Sequence, residues 1–343
     1  MSALLDAPPY GPRDEAALLR EAVELTRKHL AGCRDYAAIW PDFSGAESLE
    51  GLPYLHVGLF KRIAFRTEGV KHQRVLLSSA TTSGTSSQVA LDEVSAQLQA
   101  KSSLAILKDF VGVAKRPLVV IDDAASLRQR GQVSARVAAA LSLLPLATTT
   151  TFLLKGEEPQ WSLVEDAVRA EPAFFVYGFT WALWKRWAQG GIPSSLKELL
   201  THKQIHFVHS GGWKKLEAEA VSREALDGAL LSGAAAGSRV IDFYGLVEQN
   251  GVIFPLCEAG ARHVPRWATV IVRDPWTMKP AEPGQQGLLQ FINVLAHGAP
   301  YHSVLTEDLG SLLEGPCPCG RSGPRFTLHG RVPKAELRGC ANV

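Results

Sequence analysis

The chain has 343 residues, 46% of them hydrophobic and 20% charged, with a formal net charge of +2. This is the composition of a globular protein with a sizeable core. Charge this balanced, with no basic block longer than pairs such as Lys214-Lys215, excludes an electrostatic nucleic-acid partner. No stretch reaches about 18 uninterrupted apolar residues, and the first residues lack a basic stretch followed by an apolar run, so no membrane span and a cytoplasmic location are expected. Five cysteines are too few, and odd in number, for a disulfide framework; they favour free thiols, metal ligation or a reactive cysteine.

In chain order, residues 15–30 predict a helix, with Ala17, Leu18, Ala22, Val23 and Leu25 at helical spacing. Cys33 follows it as an expected buried thiol. Residues 53–61 form an apolar lead-in. From Val75 an apolar stub runs into residues that are almost all hydroxyl or glycine, and residues 89–107 then predict a helix. A strand-to-helix loop of this kind can wrap phosphates. Gly84 permits close approach, and Ser83, Thr85, Ser86 and Ser87 supply neutral donors beside free N–H groups. The pattern G-x-x-x-x-G-K-[ST] is absent, so the loop is not of the Walker type, and a surface linker has the same composition.

Strands are predicted at 117–122, 148–154, 173–177, 205–209 and 240–244, with helices at 124–144, 161–170, 180–189 and 213–235. Such alternation implies βαβ units and a largely parallel sheet. From residue 264 the strands 268–273, 287–294 and 301–305 follow without long helices, which predicts a closing antiparallel lobe. The expected organisation is a helical segment (1–50), an α/β core (51–263), the antiparallel lobe (264–331) and a short tail (332–343). There is no internal repeat.

Two constellations carry chemistry on residue type. Cys257-x5-His263 and Cys317-Pro-Cys319 hold soft ligands, although neither piece has the spacing of a zinc knuckle. The aromatic run 174–184 passes through Gly178, and Phe179, Trp181 and Trp184 cluster just after it. Such a run is usually core, but the glycine elbow suggests an apolar slot, in which each buried methylene contributes about 0.8 kcal/mol.

Ser83-Gly-Thr-Ser-Ser-Gln88 resembles the phosphate loop of the acyl-adenylate-forming enzymes. Asp242-Phe-Tyr-Gly-Leu-Val-Glu-Gln249 resembles their adenine and magnesium motif, and Thr306-Glu-Asp-Leu-Gly310 their ribose motif. Within that superfamily, His209-Ser-Gly-Gly-Trp-Lys-Lys215 and the segment 329–340 are most similar to the acyl-protein synthetase of bacterial bioluminescence. Phenylacetate-CoA ligases are the next relatives, and the resemblance spans residues 53–340.

The resemblance implies the N-terminal-domain architecture of that superfamily, an α/β fold with mixed, largely parallel sheets. Its large mobile C-terminal domain is expected to be absent beyond Arg331. Implied too are ATP and Mg²⁺, with Ser83 to Ser87 on the phosphates, Glu248 on Mg²⁺, and Tyr244 with Gly245, Gly211 and Gly212 at adenine. Asp308 would hold the ribose and Arg331 the sugar-phosphate, with Lys214 as a further catalytic candidate. Cys340 matches the acyl-accepting cysteine. Its nine-residue tether from Arg331 reaches about 30 Å, and Lys334 and Arg338 favour its thiolate. Phenylacetate-CoA ligases with similar Cys and His residues imply a structural Zn²⁺ on Cys257, His263, Cys317 and Cys319. The expected function is activation of a carboxylic, long-chain fatty acid and its transfer to Cys340, with an acyl reductase as partner. An alternative is a ligase loading an acyl carrier protein or coenzyme A. Ser87, Gln88 and Val247 depart from the family pattern, which leaves a catalytically degenerate, zinc-stabilised scaffold as a third reading.

Overall fold

The computed structural model describes residues 2–78, 86–125, 132–134, 140–213 and 218–332, with the backbone alone at 132–134. Helix α1 (Glu15–Gly32) begins where Asp14 accepts a hydrogen bond from Ala17 N at 2.8 Å, which satisfies one of the free amides of the first turn. It buries Leu18, Ala22, Val23, Leu25, Thr26 and His29, the face its spacing predicts. Cys33 is buried between α1 and α2 (Arg34–Ile39), as a free thiol.

The strands that follow are β1 (Leu55–His56), β2 (His72–Leu77), β3 (Gln88–Asp92), β4 (Arg116–Asp123), β5 (Gln132–Ser134), β6 (Ala147–Lys155) and β7 (Glu158–Pro159), with α3 (Glu93–Val111) between β3 and β4. Next come β8 (Ala173–Phe179), β9 (Gln204–Ser210), β10 (Arg239–Tyr244), β11 (Phe254–Pro255) and β12 (Arg262–His263). The last are β13 (Ala268–Arg273), β14 (Gly287–Asn293), β15 (Ser303–Leu312) and β16 (Arg325–Arg331).

A seven-stranded sheet has the order β11-β10-β9-β8-β4-β6-β7, and its inner strands β10, β9, β8, β4 and β6 are all parallel. Its middle strand, β8, is apolar along its whole length because both faces are covered. Val119, Phe174, Val176 and Phe207 enter one core, while Val120, Phe175, Tyr177 and Val208 enter the other. A six-stranded sheet has the order β12-β16-β15-β14-β13, antiparallel throughout except for β1, which pairs parallel to β15. A small third sheet, β3-β2-β5, carries the hydroxyl-rich segment. The fold is therefore α/β with mixed parallel and antiparallel sheets. One apolar core reaches from Leu4 and Leu18 through α3 to Phe243, Phe291 and Phe326, and so packs both large sheets together.

Four elements differ from expectation. The predicted helix 89–107 begins only at Glu93: residues 88–92 pair antiparallel with β2, and buried Asp92 caps α3 by accepting from Ser95 N at 3.2 Å. The hydroxyl-rich segment thus joins two strands of a hairpin. The predicted helix 124–144 is interrupted by β5, which extends the same small sheet. Of the predicted helix 213–235 the described part is Arg223–Leu231, started by Ser222 accepting from Ala225 N. Helix 180–189 forms, but widens to π geometry over Leu183–Ala188. Helix Ser194–Leu200 and strand β16 were not anticipated. Among the described residues, no helix is long and apolar enough to cross a membrane.

Candidate active site and metal centre

The carboxyl ends of parallel strands are where an open α/β sheet leaves a crevice for ligands, and β10 delivers Tyr244 there. Its hydroxyl donates to Asp308 Oδ2 at 2.6 Å, while Arg331 Nε donates to Asp308 Oδ1 at 3.2 Å. Asp308 and Arg331 face each other directly across β15 and β16. Three residues from separate strands, which the resemblance leads one to expect at adenine, ribose and sugar-phosphate, are thus joined in one hydrogen-bonded set. The Tyr244 ring lies 5.8 Å from that of Phe291 and 6.1 Å from that of Phe254, so it is anchored on the core while remaining half-buried. Burial, and then the Asp308 charge, push its phenol well above 10.0, which keeps it a donor. Asp308 is nearly buried, yet each carboxylate oxygen retains acceptor capacity beyond the one bond it makes.

Glu248 sits on the single turn Val247–Gln249 just past exposed Gly245 and is 4% exposed. Burial raises its carboxyl above the ordinary 4.5, opposed by a hydrogen bond with the Ser87 side chain, its own backbone, Lys61 and Arg331. Ser87 is buried, its N–H donating to Ser78 Oγ at 2.8 Å, and Ser86 beside it is half-buried. A buried carboxylate beside a hydroxyl is an all-oxygen donor set that suits a hard cation sharing phosphate and water ligands. It gains most from the charge such a cation brings. Ser83, Gly84, Thr85, Lys214 and Cys340 lie outside the described residues.

Gly211, with φ of +78°, takes a backbone conformation that favours glycine, and a Cβ there would lie 3.8 Å from the Phe179 ring. Gly212 beside it has no atom within 4 Å of where a Cβ would stand. The Thr180 hydroxyl donates to the Gly211 carbonyl at 2.7 Å and contacts His209 Nδ1 at 3.0 Å, so the ends of β8 and β9 are tied together. His209 is buried and its imidazolium disfavoured, with Asp242 opposing that effect of burial. Asp242 is paired with Arg262. Phe179 and Trp181 line a cleft of about 340 Å³ with Ile121, Leu154, Tyr177 and Ala182. Its polar walls include Asp123, which accepts from Ala125 N at 2.7 Å, and the ion-paired Glu157 and Arg186. Trp184 is not in that wall; its ring meets Trp213 edge-on at 6.3 Å.

Cys257, His263, Cys317 and Cys319 converge with all ligand atoms within 4.8 Å of one another. Cys257 Sγ and Cys317 Sγ are 3.8 Å apart, and Cys319 Sγ is 3.2 Å from His263 Nε2. Two thiolates about 2.3 Å from a tetrahedral zinc stand about 3.8 Å apart, so the donor set and its spacing fit that ion. Burial and the nearby Arg321 and Arg325 push His263 down to about 4, which leaves the imidazole neutral. Sequence reasoning missed Thr180 and Arg262, the pairing of the motif residue Asp242 with Arg262, and the link between Lys61 and Glu248. Each is an ordinary residue type whose role comes only from a contact between distant segments.

The family model described as "Acyl-protein synthetase, LuxE" matches residues 41–343. A long-chain-fatty-acid–luciferin-component ligase from Aliivibrio fischeri is 26% identical over 140 residues, 40% of this chain and 36% of that protein. The Vibrio harveyi protein of the same description is 28% identical over 141 residues, with the same coverage. The matched stretch thus spans little more than a third of these relatives' own length. Among solved structures, 2-hydroxyisobutyryl-CoA ligase in complex with 2-HIB-AMP has a TM-score of 0.69 at 16% identity, covering 93% of this chain and 68% of that one. An open conformation of that ligase, with 2-HIB-AMP and CoA, has the same score and identity over 92% and 74%. These likenesses establish the fold of the adenylate-forming ligases. With the family model matching most of its length, the chain belongs to the LuxE acyl-protein synthetase family.

Proposed function

We propose that the protein activates a carboxylic acid, of the long-chain fatty class, as an acyl-adenylate and passes the acyl group to the Cys340 thiol. The observation that carries this reading is the joining of Tyr244, Asp308 and Arg331 in one hydrogen-bonded set, with buried Glu248 in electrostatic reach of Arg331. The acid's carboxylate oxygen attacks the α-phosphorus of ATP; the new P–O bond forms as the bond to pyrophosphate breaks. The protein's part is positioning and stabilisation of phosphate charge. Asp308 would accept from the ribose hydroxyls, Arg331 would face the sugar-phosphate, and the rigid Tyr244 ring would lie along the base beside Gly211, Gly212 and Gly245. Ser86, with Ser83, Gly84 and Thr85, would donate to the phosphates, while Ser87, its N–H bonded to Ser78 Oγ and its side chain to Glu248, would support that carboxylate. Glu248 would hold Mg²⁺, which when bound neutralises phosphate charge.

The cleft beside Phe179 and Trp181 would take the acyl chain. The Cys340 thiolate then attacks the acyl carbon, AMP leaves, and a thioester results, ready for an acyl reductase. Zn²⁺ on the Cys257, His263, Cys317 and Cys319 set would be structural. The test is acid-dependent exchange of labelled pyrophosphate into ATP, followed by intact-mass analysis with ATP, Mg²⁺ and a long-chain acid. The expected result is exchange together with a hydroxylamine-sensitive adduct that Cys340→Ser loses while keeping exchange. Exchange without any adduct on the parent would favour a ligase loading a carrier protein or coenzyme A, and neither reaction would favour a scaffold. Asp308→Ala should lower exchange by about 100-fold, the size of effect seen when one preorganised contact is removed, with an unchanged far-ultraviolet spectrum.

A further inference from the structure

The side chains behind Glu248 are amides at positions where packing alone would accept apolar groups. Gln249 is fully buried; its Nε2 donates to the Tyr301 carbonyl at 2.9 Å, and its Oε1 accepts from Asn293 Nδ2 at 2.7 Å. Asn293 is itself held, its Oδ1 accepting from Leu295 N at 2.8 Å. On the other flank Asn250 Nδ2 donates to Gln99 Oε1 at 2.6 Å, and Gln99 Nε2 donates to the Tyr301 hydroxyl at 3.1 Å. The Gly251 carbonyl accepts from Ser102 Oγ at 2.5 Å, and Ser102 Oγ accepts from Trp267 Nε1 at 2.7 Å. The turn carrying Glu248 is thus bonded, residue after residue, to α3, to the end of β14 and to the segment entering β15.

A buried amide adds little net stability over an apolar group of the same shape, and it is costly once a partner is lost. What it adds is direction. Apolar packing lets a one-turn helix rotate about its axis, whereas directed bonds on both flanks fix that rotation. With the Gln249 side chain fixed by β14 and the Tyr301 carbonyl, its neighbour Glu248 is held against Ser87. We propose that Gln249, supported by Gln99 from α3, is a positioning residue that holds the Glu248 carboxylate in the orientation a divalent cation on the nucleotide phosphates requires. The proposal rests on the reading of Glu248 as the magnesium carboxylate.

The test measures binding without turnover. The ATP dissociation constant is determined by equilibrium dialysis in EDTA and in Mg²⁺, without acid, for the parent, Gln249→Met, Gln99→Met and Glu248→Gln. The ratio of the two constants is the magnesium-linked gain. Both amide variants should keep the EDTA constant and lose about 10- to 100-fold of the gain, the size expected when an outer partner of a metal ligand is removed. Glu248→Gln should abolish the gain. Should Glu248→Gln keep the parental gain, the metal reading of that residue fails, and the positioning role with it. If Glu248→Gln abolishes the gain but the amide variants retain it, only the positioning role is overturned. Weaker ATP binding in both conditions, in step with a lower melting temperature and with an unchanged ratio, marks a purely structural role and also overturns it. Gln99→Met lies outside the turn, so it keeps the test decisive if Gln249→Met does not fold.

Discussion

Glu248 is placed where ionisation is disfavoured. A carboxyl whose folded value is raised binds its proton more tightly in the native chain than in the unfolded one. Stability is therefore lost as pH rises from about 4.5 through the raised value, and stays lost above it. Glu248→Gln should then melt at a higher temperature than the parent at neutral pH without ligands, with the difference vanishing below pH 4.5. Calorimetry across that range checks it, and equal melting at pH 7 would contradict the burial argument. A carboxylate kept at such a cost is what a functional site shows. His29 behaves in the opposite sense. Fully buried, bonded to Thr67 Oγ1 at 2.7 Å and to the Ala296 carbonyl at 2.9 Å, it is lowered from 6.5 to about 4, burial being the main cause. Its contribution is present above pH 6.5 and lost as pH falls toward 4, because the unfolded chain takes up the proton first. His29→Gln should make the pH dependence of unfolding free energy in that window shallower by up to one proton, about 1.4 kcal/mol per pH unit.

Elements press closely on one another at the turn after Glu248. Gly251 has φ of +87°, and a Cβ there would lie 2.5 Å from the Gln99 Cα, on the backbone of α3. Gly251→Ala combines left-handed strain of about 1–2 kcal/mol with overpacking of about 1–3 kcal/mol. It should lower stability by several kcal/mol in chemical denaturation; a loss below about 1 kcal/mol would mean that α3 yields easily. This contact was not legible in the sequence, nor was the turn that makes it, whereas α3 and most of the parallel sheet were. The apolar runs of β4, β8 and β9 announced buried parallel strands, and the spacing of Leu18, Ala22 and Leu25 announced α1. Residues 88–92 misled because Leu91 also stands at helical spacing from Val94 and Leu98, and only pairing with β2 separates strand from helix there. Motif order brought Tyr244, Asp308 and Arg331 to attention, but not the clamp of Thr180 on Gly211, since a single threonine carries no pattern.

At the scale of the molecule, two large sheets must hold their edges in register for β10 to present Tyr244 to Asp308 on β15. The shared apolar core does part of this, and the Cys257, His263, Cys317 and Cys319 set sits at the seam. Cys257 follows β11 on the edge of the parallel sheet, His263 ends β12, and Cys317 and Cys319 lie in the connection from β15 to β16. Around them Arg321 stacks 3.9 Å from the Phe110 ring and pairs with Asp109 at 2.6 Å and Glu258 at 2.9 Å, and Tyr10 packs on His263. Four protein ligands leave no open position for substrate or water, so a zinc there would act as a cross-link between sheets. One zinc per chain is expected by elemental analysis, and Cys319→Ser should lose it. In a chain of this size a loss of several kcal/mol lowers melting by on the order of 10 °C. Because the metal would act on register and not on the nucleotide, exchange per folded molecule should survive in Cys319→Ser well below its melting temperature. A metal-free parent as stable as the metal-loaded one would remove the cross-link, and a variant that keeps its stability but loses exchange would move the metal into the chemistry.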